Sequence, residues 1–255
     1  MSASLVGSEM CIRDRDMAEA VENVLKSYGV SVITGAGLKE IKEGTAVYTK
    51  NGEEDTLDGD AILLATGRGP NTEGLHAERA GVELTKRGAV VTDKHLRTTA
   101  ENIWAAGDVC GNLQFTYISL DDSRIILSDM QGDGSRTTEN RGAFAYSVFM
   151  EPSFSRAGLS EKEAADKGLN YRVVRMNTDM IPKAKVLRKT TGMLKAVIDK
   201  DSGKIFGAAL FCPESYEIIN MVKLAMDHDL DYTVLRDFIY THPTMSEGLN
   251  DLFAL

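Results

Sequence analysis

This sequence is short of paired cysteine. Of its 255 residues, three are cysteine, namely Cys11, Cys110 and Cys212, and no two are spaced as CxxC or CxxxxC. That excludes a redox dithiol or a disulfide scaffold built from these residues alone. Cys110 and Cys212 read as small buried hydrophobes, and sparse cysteine fits a reducing, cytoplasmic setting. The four histidines are scattered without metal-ligand spacing, so no metal site is expected. No apolar run approaches the roughly 18–20 residues of a membrane span, and no membrane partner is expected. The net charge of -9 is the wrong sign for a nucleic-acid binder. There is no internal repeat and no low-complexity tract. A GxGxxG fingerprint is also missing: Gly35-Ala36-Gly37 runs into Leu38-Lys39-Glu40 and reads as a turn.

What is present suits a packed chain, with 43% hydrophobic and 26% charged residues. Residues 1–15 stand apart. Ser4–Arg15 (SLVGSEMCIRDR) has neither helical nor strand period, its apolar run is too short for a signal peptide, and a floppy natural N-terminus is the plain alternative. It is similar to a translated sequencing adapter. The expectation is a non-native leader, with natural residues missing upstream of Asp16.

After it, Asp16–Tyr28 is expected to be a helix, with Asp16 and Glu19 at capping-box spacing and Gly29 as its stop. Val30–Thr34 reads as a strand, and 40–49 with 53–57 as a β-ribbon around Asn51-Gly52. Strands are expected at Ala61–Ala65, Ala89–Thr92 and Ile103–Ala106, and helices at Glu73–Gly81 and Thr116–Met130. Gly132–Arg141 reads as an exposed loop. Beyond it the style becomes α+β. Strands are expected at Ala145–Phe149, Tyr171–Met176, Gly192–Asp199 and Lys204–Phe211. Helices are expected at Ser160–Lys167, Glu214–His228, Thr233–Tyr240 and Thr244–Phe253.

Three constellations carry chemistry. Ile103–Asp108 is an apolar run ending in glycine and a carboxylate, suited to close backbone approach and to binding hydroxyls. The same residues also suit an ordinary turn. Leu63–Asn71 is a second apolar run, ending in Thr66-Gly67-Arg68. In Thr241–Glu247, His242 and Glu247 can form an imidazole–carboxylate pair fit for proton transfer. Thr244 and Glu247 also stand at capping-box spacing, so Glu247 has a purely structural alternative.

Taken in order, these motifs resemble the ATGRxPN, AAGD and HPTxxE signatures of the FAD-dependent pyridine nucleotide–disulfide oxidoreductases. Phe149–Pro152, Ala157–Glu161, Gly192–Lys195 and Gly203–Gly207 resemble that family's dimerisation domain. The resemblance covers Asp16 to Leu255. It implies an α/β plus α+β fold: a partial Rossmann-like FAD- and NAD(P)-binding region, then an α+β dimerisation domain with an antiparallel sheet. The implied segments are 16–58 from the NAD(P) domain, 59–140 from the FAD domain and 145–255 for dimerisation.

It also implies FAD and NAD(P)H as cofactors, a homodimer, and flavin contacts at Thr66, Gly67, Gly107, Asp108, Phe115 and Thr116. His242 and Glu247 would be the acid–base pair serving a disulfide of the other subunit. Phe115–Asp122, Tyr146–Met150, Ile181–Ala184 and Asn250–Phe253 are most similar to the reactive-chlorine-resistance and mercuric-reductase-like members, which implies copper(II) as an oxidant. The ending Phe253-Ala254-Leu255 lacks the cysteine pair of mercuric reductases. Two alternatives stay open: an inactive dimerisation module, and a disulfide or coenzyme-A disulfide reductase relative. As a fragment without dithiol or diphosphate fingerprint, the chain is not expected to turn over.

Overall fold

A computed structural model describes residues 3–7 and 14–255; Cys11 lies outside them. The chain forms two compact units, one from residues 1–63 with 143–255 and the other from 64–142.

The first unit opens with β1 (Ala3–Gly7), α1 (Arg15–Ser27) and β2 (Val30–Thr34), and β1 pairs parallel with β2. Parallel pairing needs such a crossover. A strand at Ala3–Gly7 differs from the featureless leader expected there. Five residues are too few to show a period, and the partner strand decides the conformation. On α1, Met17, Val21 and Val24 are buried, the spacing of one helical face. The expected Asp16–Glu19 capping box does not form. Asp14 holds the cap position without a side-chain bond to the helix N–H groups, and Asp16 is committed elsewhere, as described below. Gly29 ends the helix as expected, its N–H donating to Lys26 O at 2.9 Å.

β3 (Ala36–Lys42), β4 (Thr45–Lys50) and β5 (Glu53–Asp58) make an antiparallel meander. Asn51 and Gly52 both take positive φ, 53° and 86°, as a tight hairpin turn requires. The expected single run 40–49 is broken by a second hairpin at Glu43-Gly44.

In residues 64–142 the expected strands do not form ladders. Only isolated bridges link Leu84 to Val90 and Arg97 to Trp104. The apolar runs were legible, but a strand also needs a neighbour for its N–H and C=O groups, and among the described residues none pairs with 61–65. The helix expected over Glu73–Gly81 contracts to one 3₁₀ turn, Ala77–Ala80. The long helix is present as α2 (Thr116–Gln131). The loop before residue 141 contains a 3₁₀ turn at Thr138–Asn140.

The rest of the first unit is β6 (Ala145–Val148), β7 (Phe154–Gly158), α3 (Glu161–Asp166), β8 (Tyr171–Asn177), α4 (Pro182–Leu187), β9 (Met193–Asp199), β10 (Ile205–Phe211), α5 (Ser215–Asp227), α6 (Thr233–Arg236) and α7 (Gly248–Ala254). The sheet order β6-β7-β10-β9-β8 is antiparallel throughout. β7 and α4 were not expected from sequence. The capping box at Ser160 was, and Glu163 N donates to Ser160 Oγ at 3.1 Å. α6 and α7 are shorter than expected.

Strand alternation divides the core. Leu194, Ala196 and Ile198 of β9 and Ala208 and Leu210 of β10 pack with Ile218, Val222, Leu249 and Phe253. The opposite face of β10 sends Ala209 and Phe211, with Phe154 of β7, against Met17, Val21 and Val24 of α1. So α1 covers one face of the five-stranded sheet. From sequence, 16–58 and 145–255 read as separate regions; here α1 of the first packs on the sheet of the second.

The same alternation turns Lys195 towards α1. It is 2% exposed, with Nζ 3.2 Å from Asp14, 2.9 Å from Asp16 and 2.8 Å from Glu161. Arg175 closes the cluster, 2.8 Å from Asp16 and 2.6 Å from Glu161. Burial pulls the Lys195 pKa down, but bonds to Asp16 and Glu161 outweigh it and hold the ammonium above its ordinary value. Burial likewise pushes Asp16 up, while Lys195 and Arg175 bring it below the usual carboxylate range. The leader boundary expected at Arg15 thus falls inside a buried ion cluster. Among the described residues, no helix is long and apolar enough to cross a membrane.

Candidate functional site

The expected residues fall into two groups, one in each unit. In residues 64–142, Gly107 starts a 3₁₀ turn running to Cys110, straight after the extended residue Ala106. Gly107 has φ +78°, and a Cβ there would lie 2.8 Å from Ser119 Oγ. Only glycine fits both demands. The Gly107 N–H donates to Asp122 Oδ2 of α2 at 2.7 Å. The neighbouring Asp108 carboxylate is 49% exposed, with Arg68 Nη1 3.7 Å from Oδ2.

Arg68 also donates from Nη2 to Gln114 O at 2.9 Å. It therefore ties the Thr66-Gly67 segment to the loop that starts α2. Thr66 and Gly67 are exposed, and Gly67 takes φ +114°. At the cap of α2 stands Phe115, whose ring cannot accept from first-turn N–H groups. Thr116 opens the helix and is exposed.

These residues fit a flavin's sugar-alcohol chain. A half-exposed carboxylate can accept from hydroxyls, the glycine cradle admits close approach, and the helix start has no side-chain oxygen acceptor at its cap. Arg68 was quoted in the sequence motif without a role. Its guanidinium links the two motifs through space, which spacing in sequence cannot show. Cys110, the last residue of this turn, is buried. Burial, and secondarily the Asp122 charge, pushes its thiol up to about 11. Cys212, in the other unit, is pushed up to about 12 by burial and then Glu214. Neither is an activated thiolate.

The second group is in the α+β part. His242 Nδ1 lies 2.8 Å from Glu247 Oε2. Glu247 Oε1 accepts from Thr244 N–H at 3.2 Å. Both readings of Glu247 hold part of the truth. It does bind a backbone N–H, but Thr244 Oγ1 donates to Thr241 O at 2.8 Å instead of closing a capping box, and the second oxygen engages the imidazole. The His242–Pro243 peptide is cis. The His242 side chain is 69% exposed and that of Glu247 mostly buried. A buried carboxylate on Nδ1 fixes the tautomer with Nδ1–H inward, which leaves Nε2 as the basic nitrogen.

Asn250 supports this loop, and sequence gave no role for it. Its amide nitrogen lies 2.7 Å from Arg236 O, 3.0 Å from Phe238 O and 3.2 Å from Leu235 O. Those carbonyls end α6 and lead to Tyr240 and His242. Among the described residues, no group of three or more His, Cys, Asp or Glu side chains is placed to hold a metal ion.

Residues 7–123 match the pyridine nucleotide-disulphide oxidoreductase family, and residues 144–253 its dimerisation domain. The probable pyridine nucleotide-disulfide oxidoreductase RclA of Escherichia coli is 47% identical over 242 residues, covering 95% of this chain and 55% of that protein. A mercuric reductase of Staphylococcus aureus is 34% identical, covering 92% of this chain and 44% of that one. Among solved structures, a copper(II) complex of the HOCl-induced flavoprotein disulfide reductase RclA from E. coli superposes with a TM-score of 0.91 at 43% identity, covering 99% of this chain and 58% of that one. The chain thus spans about half the length of the curated relatives it matches. With two family models matched in order over most of its length, the chain belongs to the pyridine nucleotide-disulphide oxidoreductase family.

Proposed function

We propose that this chain is part of an NAD(P)H-dependent flavoprotein oxidoreductase, in which it supplies the sugar-side flavin turn and the acid–base pair. The observation that carries the reading is the His242–Glu247 pair, 2.8 Å apart with the imidazole exposed. Bound FAD would supply two-electron transfer between NAD(P)H and a dithiol. Asp108 would accept hydrogen bonds from flavin hydroxyls. Gly107, Thr66 and Gly67 would allow close approach, and the backbone at Phe115 and Thr116 would face the ring. His242 Nε2 would take the proton from a thiol and return it, while Glu247 stabilises the protonated imidazole. The sequence holds no CxxxxC pair, so the dithiol would come from outside these residues.

The terminal oxidant is proposed to be a metal ion, copper(II), by likeness to the copper-complexed relative. The proposed segments are 16–58 from the NAD(P) domain, 59–140 from the FAD domain and 145–255 for dimerisation. Residues 145–255 are proposed to form a homodimer. Phe149, 98% exposed, and Ile239, 93% exposed, are large apolar side chains of the kind that interfaces cover. A cytoplasmic location is proposed from the sparse, unpaired cysteines.

The test is to express the gene with its upstream coding sequence restored, and to measure flavin absorbance and NAD(P)H oxidation with copper(II). His242→Gln is expected to retain flavin but slow reoxidation by at least ~100-fold, the scale of a lost general acid–base group. A protein without flavin, or a His242→Gln variant of full activity, would sink the proposal.

A further inference from the structure

We infer that Asp122, anchored by Arg141, is a positioning residue that sets the Gly107–Asp108 turn for flavin; this rests on the flavin role proposed above. A neutral acceptor would satisfy the Gly107 N–H. Here the acceptor is a buried carboxylate, which is costly unless an opposite charge accompanies it. That charge is present: Asp122 Oδ1 is bonded by Arg141 Nη2. Arg141 Nε lies 3.2 Å from Asp121 Oδ2, and Asp121 Oδ1 is bonded by Arg136. The chain of contacts runs Gly107, Asp122, Arg141, Asp121, Arg136, and all the groups in it are largely buried except Arg136.

A charge-assisted bond to a backbone N–H is stronger than a neutral one. It fixes the plane of the Ala106–Gly107 peptide. With Gly107 held at φ +78° over Ser119, little freedom remains before Asp108. The direction of the Asp108 carboxylate therefore depends on Asp122, fifteen positions after Gly107, and on two arginines in the loop that follows α2. That loop, which reads from sequence as an exposed connection, is linked to the turn through Asp122.

The test uses the protein with its upstream coding sequence restored, as above, FAD as probe, and the variants Asp122→Asn, Arg141→Gln, Arg141→Lys and Asp129→Asn. Asp129 is on the same helix, but its carboxylate bonds Arg97 at 2.7 Å and Trp104 at 2.9 Å rather than the Gly107 N–H. Asp122→Asn keeps the shape and loses the charge. It and Arg141→Gln are expected to speed hydrogen exchange at the Gly107 amide and to weaken FAD binding about tenfold, the size of one charge-assisted bond. Arg141→Lys should recover part of both. Asp129→Asn should lower the thermal midpoint and leave FAD affinity unchanged. Wild-type chain that takes up no FAD overturns the flavin role and this inference together. Wild-type uptake with unchanged affinity in Asp122→Asn, or equal weakening by Asp129→Asn, overturns the inference alone.

Discussion

The two units are held together by different means. Around the five-stranded sheet, cohesion is mostly apolar. β10 is buried on both faces, Leu210 within one cluster and Phe211 within another. In residues 64–142 the apolar cluster is small, with Leu96, Cys110 and Ile125 at its centre. Carboxylates of α2 take over there: Asp122 holds Gly107, Asp121 holds Arg136 and Arg141, and Asp129 holds Arg97 and Trp104. Directional bonds fix where a turn points. Apolar burial fixes mainly that the elements stay together. The unit with the proposed flavin turn is the one built on direction.

The sharpest blow to this contrast is aimed at Lys195, a charge buried inside the apolar unit. Lys195→Ala leaves Asp14, Asp16 and Glu161 clustered with only Arg175. It is expected to cost about 3–5 kcal/mol in urea unfolding. A loss below ~1 kcal/mol would mean that α1 is held by its apolar face alone. Next, native-state hydrogen exchange should show amides of 64–142 opening at least ~2 kcal/mol more easily than those of β9 and β10. Equal protection would break the comparison.

Third is the pH range of α1 docking. Asp16 has a depressed folded pKa, so its contribution is complete above its ordinary value of 3.8 and is lost as pH falls through the lower folded value. Lys195 has a raised one, so its contribution is complete below 10.5 and is lost as pH rises through the higher folded value. Circular dichroism and α1 protease protection should therefore be level between these limits and fall outside them. A decline centred near neutral pH would contradict this. Smallest, Ser160→Ala removes the α3 cap and should cost about 1 kcal/mol by thermal melting.

Legibility in the sequence follows the same division. Where period and cap act locally, the elements were readable: α1, α2, α5, the Ser160 capping box and the Asn51-Gly52 hairpin. β7 was missed because Phe154–Gly158 is buried almost throughout and shows no alternation. α4 was missed because six residues give no helical period. The runs at 61–65, 89–92 and 103–106 read as strands because their composition suits a sheet, yet ladders depend on partners that composition does not contain. His242 with Glu247 was readable because five positions bring them together across one turn. Asp122, Arg141 and Arg68 were not, because their bonds join segments 15 to 46 positions apart.

The clamp on Lys195 has one further consequence, for synthesis. Asp14 and Lys195 are 181 positions apart. At about 5–20 residues per second, roughly ten to forty seconds separate their emergence from a ribosome. Through that interval the apolar stripe of α1 has no sheet to lie on, and the whole of 64–142 is made meanwhile. Nascent chains arrested before β9 should leave α1 open to protease and to chaperones. Chains arrested well past β10 should protect it.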